Sequence, residues 1–302
     1  MGAQIDNPIL NSPFDAPNRY WEIGEAGATG TVLDGRRSSE FYMPIPAAKR
    51  AQGAQQQLES NEYTADRVVR AEFVDGIRHD VDNFRAQGWP GVTATTRMLL
   101  EHWSDPTRDR RLFFCQLEAL ETAIWLTELA DKTGRGRAVR NDLTRFADDA
   151  NPGVLRVAHK MATGTGKTVL MAMMIAWHTL NKAANPQDKR FTDAFLVVAP
   201  GITIKDRLRV LLPSDDENYY RSLDLVPSHL RDRLGRAQIV ITNFHTFQLR
   251  EKASLTKATK QILGADSIGA FTETPDQMVN RVCKPLRGKR NILVLNDEAH
   301  HC

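Results

Sequence analysis

The sequence predicts an α/β fold, a parallel sheet built around a phosphate-binding loop, preceded by a smaller mixed N-terminal region. Three observations predict it. After Asn151, short apolar runs alternate with helical segments, the texture of βαβ units. A Gly-Lys-Thr turn, Gly166 to Thr168, opens one of those helices. A last apolar run, Ile292 to Leu295, ends in Asn296 and then two adjacent carboxylates, Asp297 and Glu298.

Size and composition set the bounds. A length of 302 residues fits one large domain or two. With 41% hydrophobic and 25% charged residues, the chain can bury a core. A net charge of +3 excludes a polyanion-binding tail, so any nucleic-acid contact is local. The three cysteines, Cys115, Cys283 and Cys302, contain no CxxC pair and are odd in number. That argues against a disulfide framework or a zinc ribbon and suits a reducing compartment. MGAQIDNPIL has no basic start and no long apolar run, so a signal peptide is not expected, and Asp6 stands where a myristoylation site needs Ser or Thr. The longest apolar run, Val169 to Trp177, falls short of the roughly 20 residues of a membrane span. A cytoplasmic protein without membrane contact is expected.

Two regions are expected, 1–110 and 111–302. In the first, NRYWEIGEAGATGTVLDGRRSS reads as a hairpin around a Gly/Ala turn. Ala47 to Glu62 has low complexity and reads as a linker. A helix is predicted from Thr64, its cap, to Gln87, because Val69, Phe73, Ile77 and Val81 recur every fourth position. A second helix is predicted from Ala94 to Trp103 and a third from Leu112 to Asp131. Strands are then predicted at Leu155–Lys160, Ala194–Ala199, Ala237–Thr242 and Asn291–Asn296. Helices are expected after Lys167 and over Ile202–Leu212, with a short helical piece after Thr242. Ala253 to Asp276 lacks a clean period and reads as an insertion or surface loop. The helix after Lys167 is apolar on all faces, so Met171, Met173 and Met174 are read as core filler. Trp89, Trp103 and Trp125, with His159 and His245, are also read as structural.

The sharpest motif is HKMATGTGKTVLMAMM, His159 to Met174. Gly164, Thr165, Gly166, Lys167 and Thr168 match the end of a P-loop. The glycines let successive N–H groups turn inward on a phosphate. The helix that follows adds the positive end of its dipole. Lys167 supplies a cation for β and γ phosphates, and Thr168 a hydroxyl for Mg²⁺. Met161 occupies the place of the motif's first glycine, so the loop alone also fits an ordinary Gly-rich strand-to-helix turn. NDEAH then acquires a purpose. Asp297 can hold the magnesium and Glu298 can polarise the attacking water. Alone, such a pair is an ordinary solvated strand end. His300, His301 and Cys302 suggest zinc, but no second cluster with metal spacing accompanies them.

MATGTGKT and NDEAHH resemble motifs I and II of superfamily 2 DEAD/DEAH-box helicases and translocases. Within these the chain resembles the N-terminal half of the ATP-dependent Res (R) subunit of type III restriction enzymes. In that group Met161 is a common replacement. VVAPGITIKDRL resembles the motif Ia region and IVITNFHTF the segment after it. FFCQLEALETAIWL places Gln116 where such proteins carry an adenine-contacting glutamine, although a helix cap fits equally. The resemblance implies a RecA-like first motor domain that binds ATP and Mg²⁺, with Lys167 and Glu298 catalytic. It implies DNA as partner, gripped through its phosphates without sequence preference, and a modification methyltransferase subunit as a possible second partner. Thr203 and Thr242–Asn243 are the candidate phosphate contacts, with helix capping as the ordinary alternative. The basic face of Lys205, Arg207 and Arg209 is equally an ordinary solvated face, and the basic turn of Leu286 to Asn291 is a further candidate for phosphate. A second RecA-like domain carrying an arginine finger, and a nuclease domain, are not expected within this sequence, which implies slow or no turnover by the chain alone. The alternative readings are a truncated, non-catalytic module that binds nucleotide or a partner, and a P-loop ATPase of another class.

Overall fold

The computed structural model describes residues 5–24, 27–43, 67–250 and 273–297. The expected linker at 47–62 lies outside these residues, as does most of the expected loop at 253–276. Arg19–Gly24 (β1) and Gly27–Asp34 (β2) form the predicted antiparallel hairpin, with Tyr20 opposite Leu33 and Trp21 opposite Val32. Glu40–Met43 (β3) pairs antiparallel with Arg67–Arg70 (β4).

That pair corrects the first helix. Thr64 lies outside the described residues, Arg67–Arg70 is strand, and the helix runs from Glu72 to Ala86 (α1). Two adjacent valines, Val68 and Val69, are stiff at χ1 and favour a strand over a helix interior. The junction is fixed by Ala71 N–H donating to Ser39 O at 2.7 Å and Ser39 N–H donating to Asp75 Oδ1 at 2.9 Å. From there the predicted face holds, with Ile77, Val81 and Phe84 buried.

Ala94–Ser104 (α2) matches expectation, capped by the Thr93 hydroxyl, which accepts from Thr96 N–H at 3.1 Å. The long third helix is present in extent but not uniform. Phe114–Ile124 (α3) is α-helical, Trp125–Leu129 is a π turn, and Ala130–Lys132 is 3₁₀. The wide turn carries Glu128 into the core at 2% exposure. Its carboxylate accepts from Thr93 N–H at 2.7 Å, the Thr96 hydroxyl at 2.6 Å and Trp177 Nε1 at 3.2 Å. A buried carboxylate is tolerable only with such partners. Gly134–Ala150 (α4) follows, a helix with no counterpart in the sequence reading.

Lys167–Ala184 (α5) is the centre of the molecule. Leu170 to Met173 and Ile175 to Asn181 are all buried, as a helix apolar on every face requires. Asn181 Nδ2 of α5 donates to Thr96 Oγ1 of α2 at 3.0 Å, and His178 meets the Phe195 ring at 6.5 Å between centroids. Phe195 lies on Ala194–Ala199 (β5), the middle strand of a three-stranded parallel sheet. Gln238–Asn243 (β6) and Leu293–Asn296 (β7) flank it, in the order β6-β5-β7. The connections carry Ile202–Arg207 (α6), Tyr219–Ser222 (α7), a 3₁₀ turn over Phe244–Phe247 and Pro275–Val282 (α8). The helix predicted to reach Leu212 tightens to 3₁₀ at Leu208.

The predicted strand at Leu155–Lys160 does not form. Val154, Leu155 and Val157 are 55%, 49% and 43% exposed, and none of these residues has a ladder partner among the described residues. A strand's hydrogen bonds come from its neighbours, so an apolar run alone is insufficient. Among the described residues no helix is long and apolar enough to cross a membrane.

Candidate functional site

The Gly-rich loop before α5 is shaped by two glycines. Gly164 at φ +80° and Gly166 at φ +78° occupy the left-handed region, where any other residue is strained. Gly166 is the cap of α5. Val169 and Leu170 donate to its carbonyl at 2.9 and 3.2 Å, which starts the helical ladder. Thr165 ties the loop to itself, its hydroxyl donating to Ala162 O at 2.6 Å. Lys167 and Thr168 are half-buried at the first two helical positions. The loop thus opens into an 18-residue helix, whose first N–H groups and dipole favour an anion.

Gln116 approaches from α3. Its Nε2 donates to Thr165 O at 3.0 Å, and its Oε1 accepts from Phe113 N–H at 2.9 Å. The second bond is the return half of a capping box, so the helix-cap role weighed from sequence is real. The same side chain also touches the loop, which spacing could not show.

The acidic end is fixed by the sheet. The parallel register sets Val198 opposite both Thr242 and Asn296, so all three strands finish at one edge. Asp297 N–H donates to Val198 O at 2.9 Å and extends that edge by one residue. Parallel sheets bind their ligands there. Glu298, His300, His301 and Cys302 lie outside the described residues.

The other candidates separate. Thr242 is 4% exposed, which buries its hydroxyl. Asn243 caps the following turn, accepting from Thr246 N–H at 3.0 Å, the ordinary role weighed for it. Arg209 pairs with Asp215 at 3.3 Å. Trp103 and Trp125 are core residues as expected. His245 instead lines an open cavity of about 450 Å³ at the same sheet edge, with Pro200, Gly201, Ile204 and Phe244. Phe244, 41% exposed, follows β6 directly and was not singled out from the sequence.

Among the described residues no group of three or more His, Cys, Asp or Glu side chains could hold a metal by itself. Magnesium asks for less. It binds through one or two carboxylates, hydroxyls and the substrate's own phosphates, and the oxygen donors of Thr168 and Asp297 suit such a hard cation.

No curated protein and no solved structure matches the chain. A family model described as "Type III restriction enzyme, res subunit" matches residues 112–302, more than half of the sequence. That span includes Gln116, the loop from Gly164 to Thr168, the three-stranded sheet and Asp297. The chain therefore belongs to the type III restriction enzyme res subunit family, a helicase-like group of motor domains.

Proposed function

We propose that the chain carries the ATP-binding motor domain of a DNA translocase. The observation that carries the reading is the left-handed Gly166 cap, which turns a Gly-rich loop directly into a long buried helix, inside the matched span. In this reading the loop from Gly164 to Thr168 holds the phosphates, and Lys167 neutralises the β and γ oxygens. Thr168 and Asp297 would hold Mg²⁺, which when bound would screen the charge of the triphosphate. Glu298, next in sequence, orients a water and accepts its proton. The α5 core keeps the loop rigid, so the phosphate-facing groups are set before nucleotide arrives. DNA phosphates run along the sheet edge that carries Pro200, Gly201 and Asn243, a contact with no base readout.

Titration with a fluorescent ATP analogue tests this. Saturable binding is expected, and Lys167→Ala is expected to weaken it at least about tenfold, since a charge-assisted phosphate contact is lost. Binding unchanged by Lys167→Ala would remove the loop from the nucleotide site. Retention on DNA that weakens steeply with salt is the matching test for the polyanion.

A further inference from the structure

We infer that a cavity between the N-terminal arm, Pro8 to Asn11, and the β1–β2 hairpin takes one nucleotide of a single-stranded nucleic acid, with its base on Trp21 and its phosphate at Arg19. The choice of nucleic acid rests on the reading of the chain as a DNA motor. The site itself lies outside the span that matches the family.

The cavity measures about 420 Å³, within the roughly 300–1,000 Å³ of small-ligand sites, and Pro8, Arg19, Trp21, Arg36 and Arg37 are among the residues that line it. Its walls are tied together. Asn11 Oδ1 accepts from the N–H groups of Asn18 and Arg19 at 3.1 and 3.2 Å, and Asn11 Nδ2 donates to Arg19 O at 2.8 Å. Trp21 Nε1 donates to Pro8 O at 3.0 Å, which fixes the indole against the arm. Arg19 and Trp21 stand two positions apart on β1, so they share one face of the hairpin.

Charge chooses the ligand. None of the described residues that line the cavity is Asp or Glu. Arg36 is engaged by Glu118 at 2.6 Å, and Arg37 by Glu40 at 3.1 Å. Arg19 is exposed and forms no ion pair among the described residues; its guanidinium donates to Leu10 O at 3.3 Å. An open arginine beside a fixed indole suits an anion joined to a flat ring, and a nucleotide has both. In a duplex each base is paired and stacked between its neighbours. In a single strand the face of a base is free to lie on an aromatic ring, while the backbone follows positive charge. An acidic peptide offers Arg19 a charge and leaves the indole uncovered.

The test measures binding of a short fluorescein-labelled oligo(dT), and of a duplex of the same length, to the whole chain by fluorescence anisotropy across a salt series. Trp21→Leu is expected to weaken oligo(dT) at least about fivefold, the worth of one stacked base, and to leave the duplex unchanged. Arg19→Gln, at an exposed side chain, is expected to lower the salt slope for oligo(dT) by about 0.7, one phosphate of a single strand. Urea unfolding identifies which variants are folded, and Arg19→Gln alone suffices if Trp21→Leu is not. Wild-type behaviour of either folded variant toward oligo(dT) would overturn the inference. An equal loss on the duplex in Trp21→Leu would also overturn it, as would displacement of oligo(dT) by polyglutamate as readily as by unlabelled oligo(dT). A wild-type chain that holds neither probe would overturn the DNA reading itself.

Discussion

The two sides of the Gly-rich loop are opposites. After Lys167 the chain is a helix with Met173, Ile175 and Trp177 wholly buried. Before Met161 the chain is irregular, with Val154, Leu155 and Val157 in solvent. Both stretches are apolar. The difference lies in where the backbone bonds come from. A helix satisfies its own N–H and C=O groups and needs only packing; a strand needs a partner. Buried apolar surface therefore fixes the loop from its helical side.

The largest contrast is in stability. Trp177→Ala removes a fully buried ring whose Nε1 also bonds Thr96 at 3.0 Å, and a loss of about 4 kcal/mol is expected in urea unfolding. Leu155→Ala, on the other side, is expected to cost less than about 0.5 kcal/mol. Equal costs would erase the distinction.

The next effect is pH dependence. Burial among Trp177, Phe191 and Phe195 pushes the His178 imidazole from 6.5 down to about 4. Folding keeps the ring neutral, so between those values the unfolded chain binds more protons. Stability then rises with pH across that window and levels off above pH 6.5. The full span corresponds to about 3 kcal/mol. Urea midpoints at pH 4, 5 and 7 measure the slope, and His178→Phe is expected to flatten it.

A smaller effect separates the loop from both flanks. Gly166→Ala meets a positive φ and the Gln116 amide at once, so about 1–3 kcal/mol of strain is expected, with weaker nucleotide binding. Gly164→Ala meets the same φ but open space, and is expected to be the milder change in the same unfolding assay.

These contrasts also explain what was legible. Strand β5 is short, apolar and mostly buried, and β6 carries the β-branched run Ile239 to Ile241, so both were marked to within one residue. Helix α5 was legible because it is apolar on all faces. Helix α4 was not, because it opens Gly134-Arg135-Gly136, a weak helical start. The structure shows why Gly136 is there: a Cβ would lie 2.4 Å from Ala130 O. That close approach is tertiary, and no local pattern announces it. The start of α1 was misplaced because Val69 fits a four-residue period and a strand alike. At the candidate site, the motifs marked the turn that opens α5 and the end of β7, where the loop and Asp297 lie. The bond from Gln116 to Thr165 was not, since it joins residues 49 positions apart.

The central claim is that the glycine loop and Asp297 serve one metal-bound triphosphate. Its most direct measurement is the Mg²⁺ dependence of nucleotide affinity in wild type, Lys167→Ala and Asp297→Asn. The account predicts that wild type gains affinity with Mg²⁺. It predicts that Asp297→Asn keeps the Mg²⁺-free affinity and loses that gain, and that Lys167→Ala weakens binding in both conditions. An Asp297→Asn chain with the full Mg²⁺ gain would contradict it.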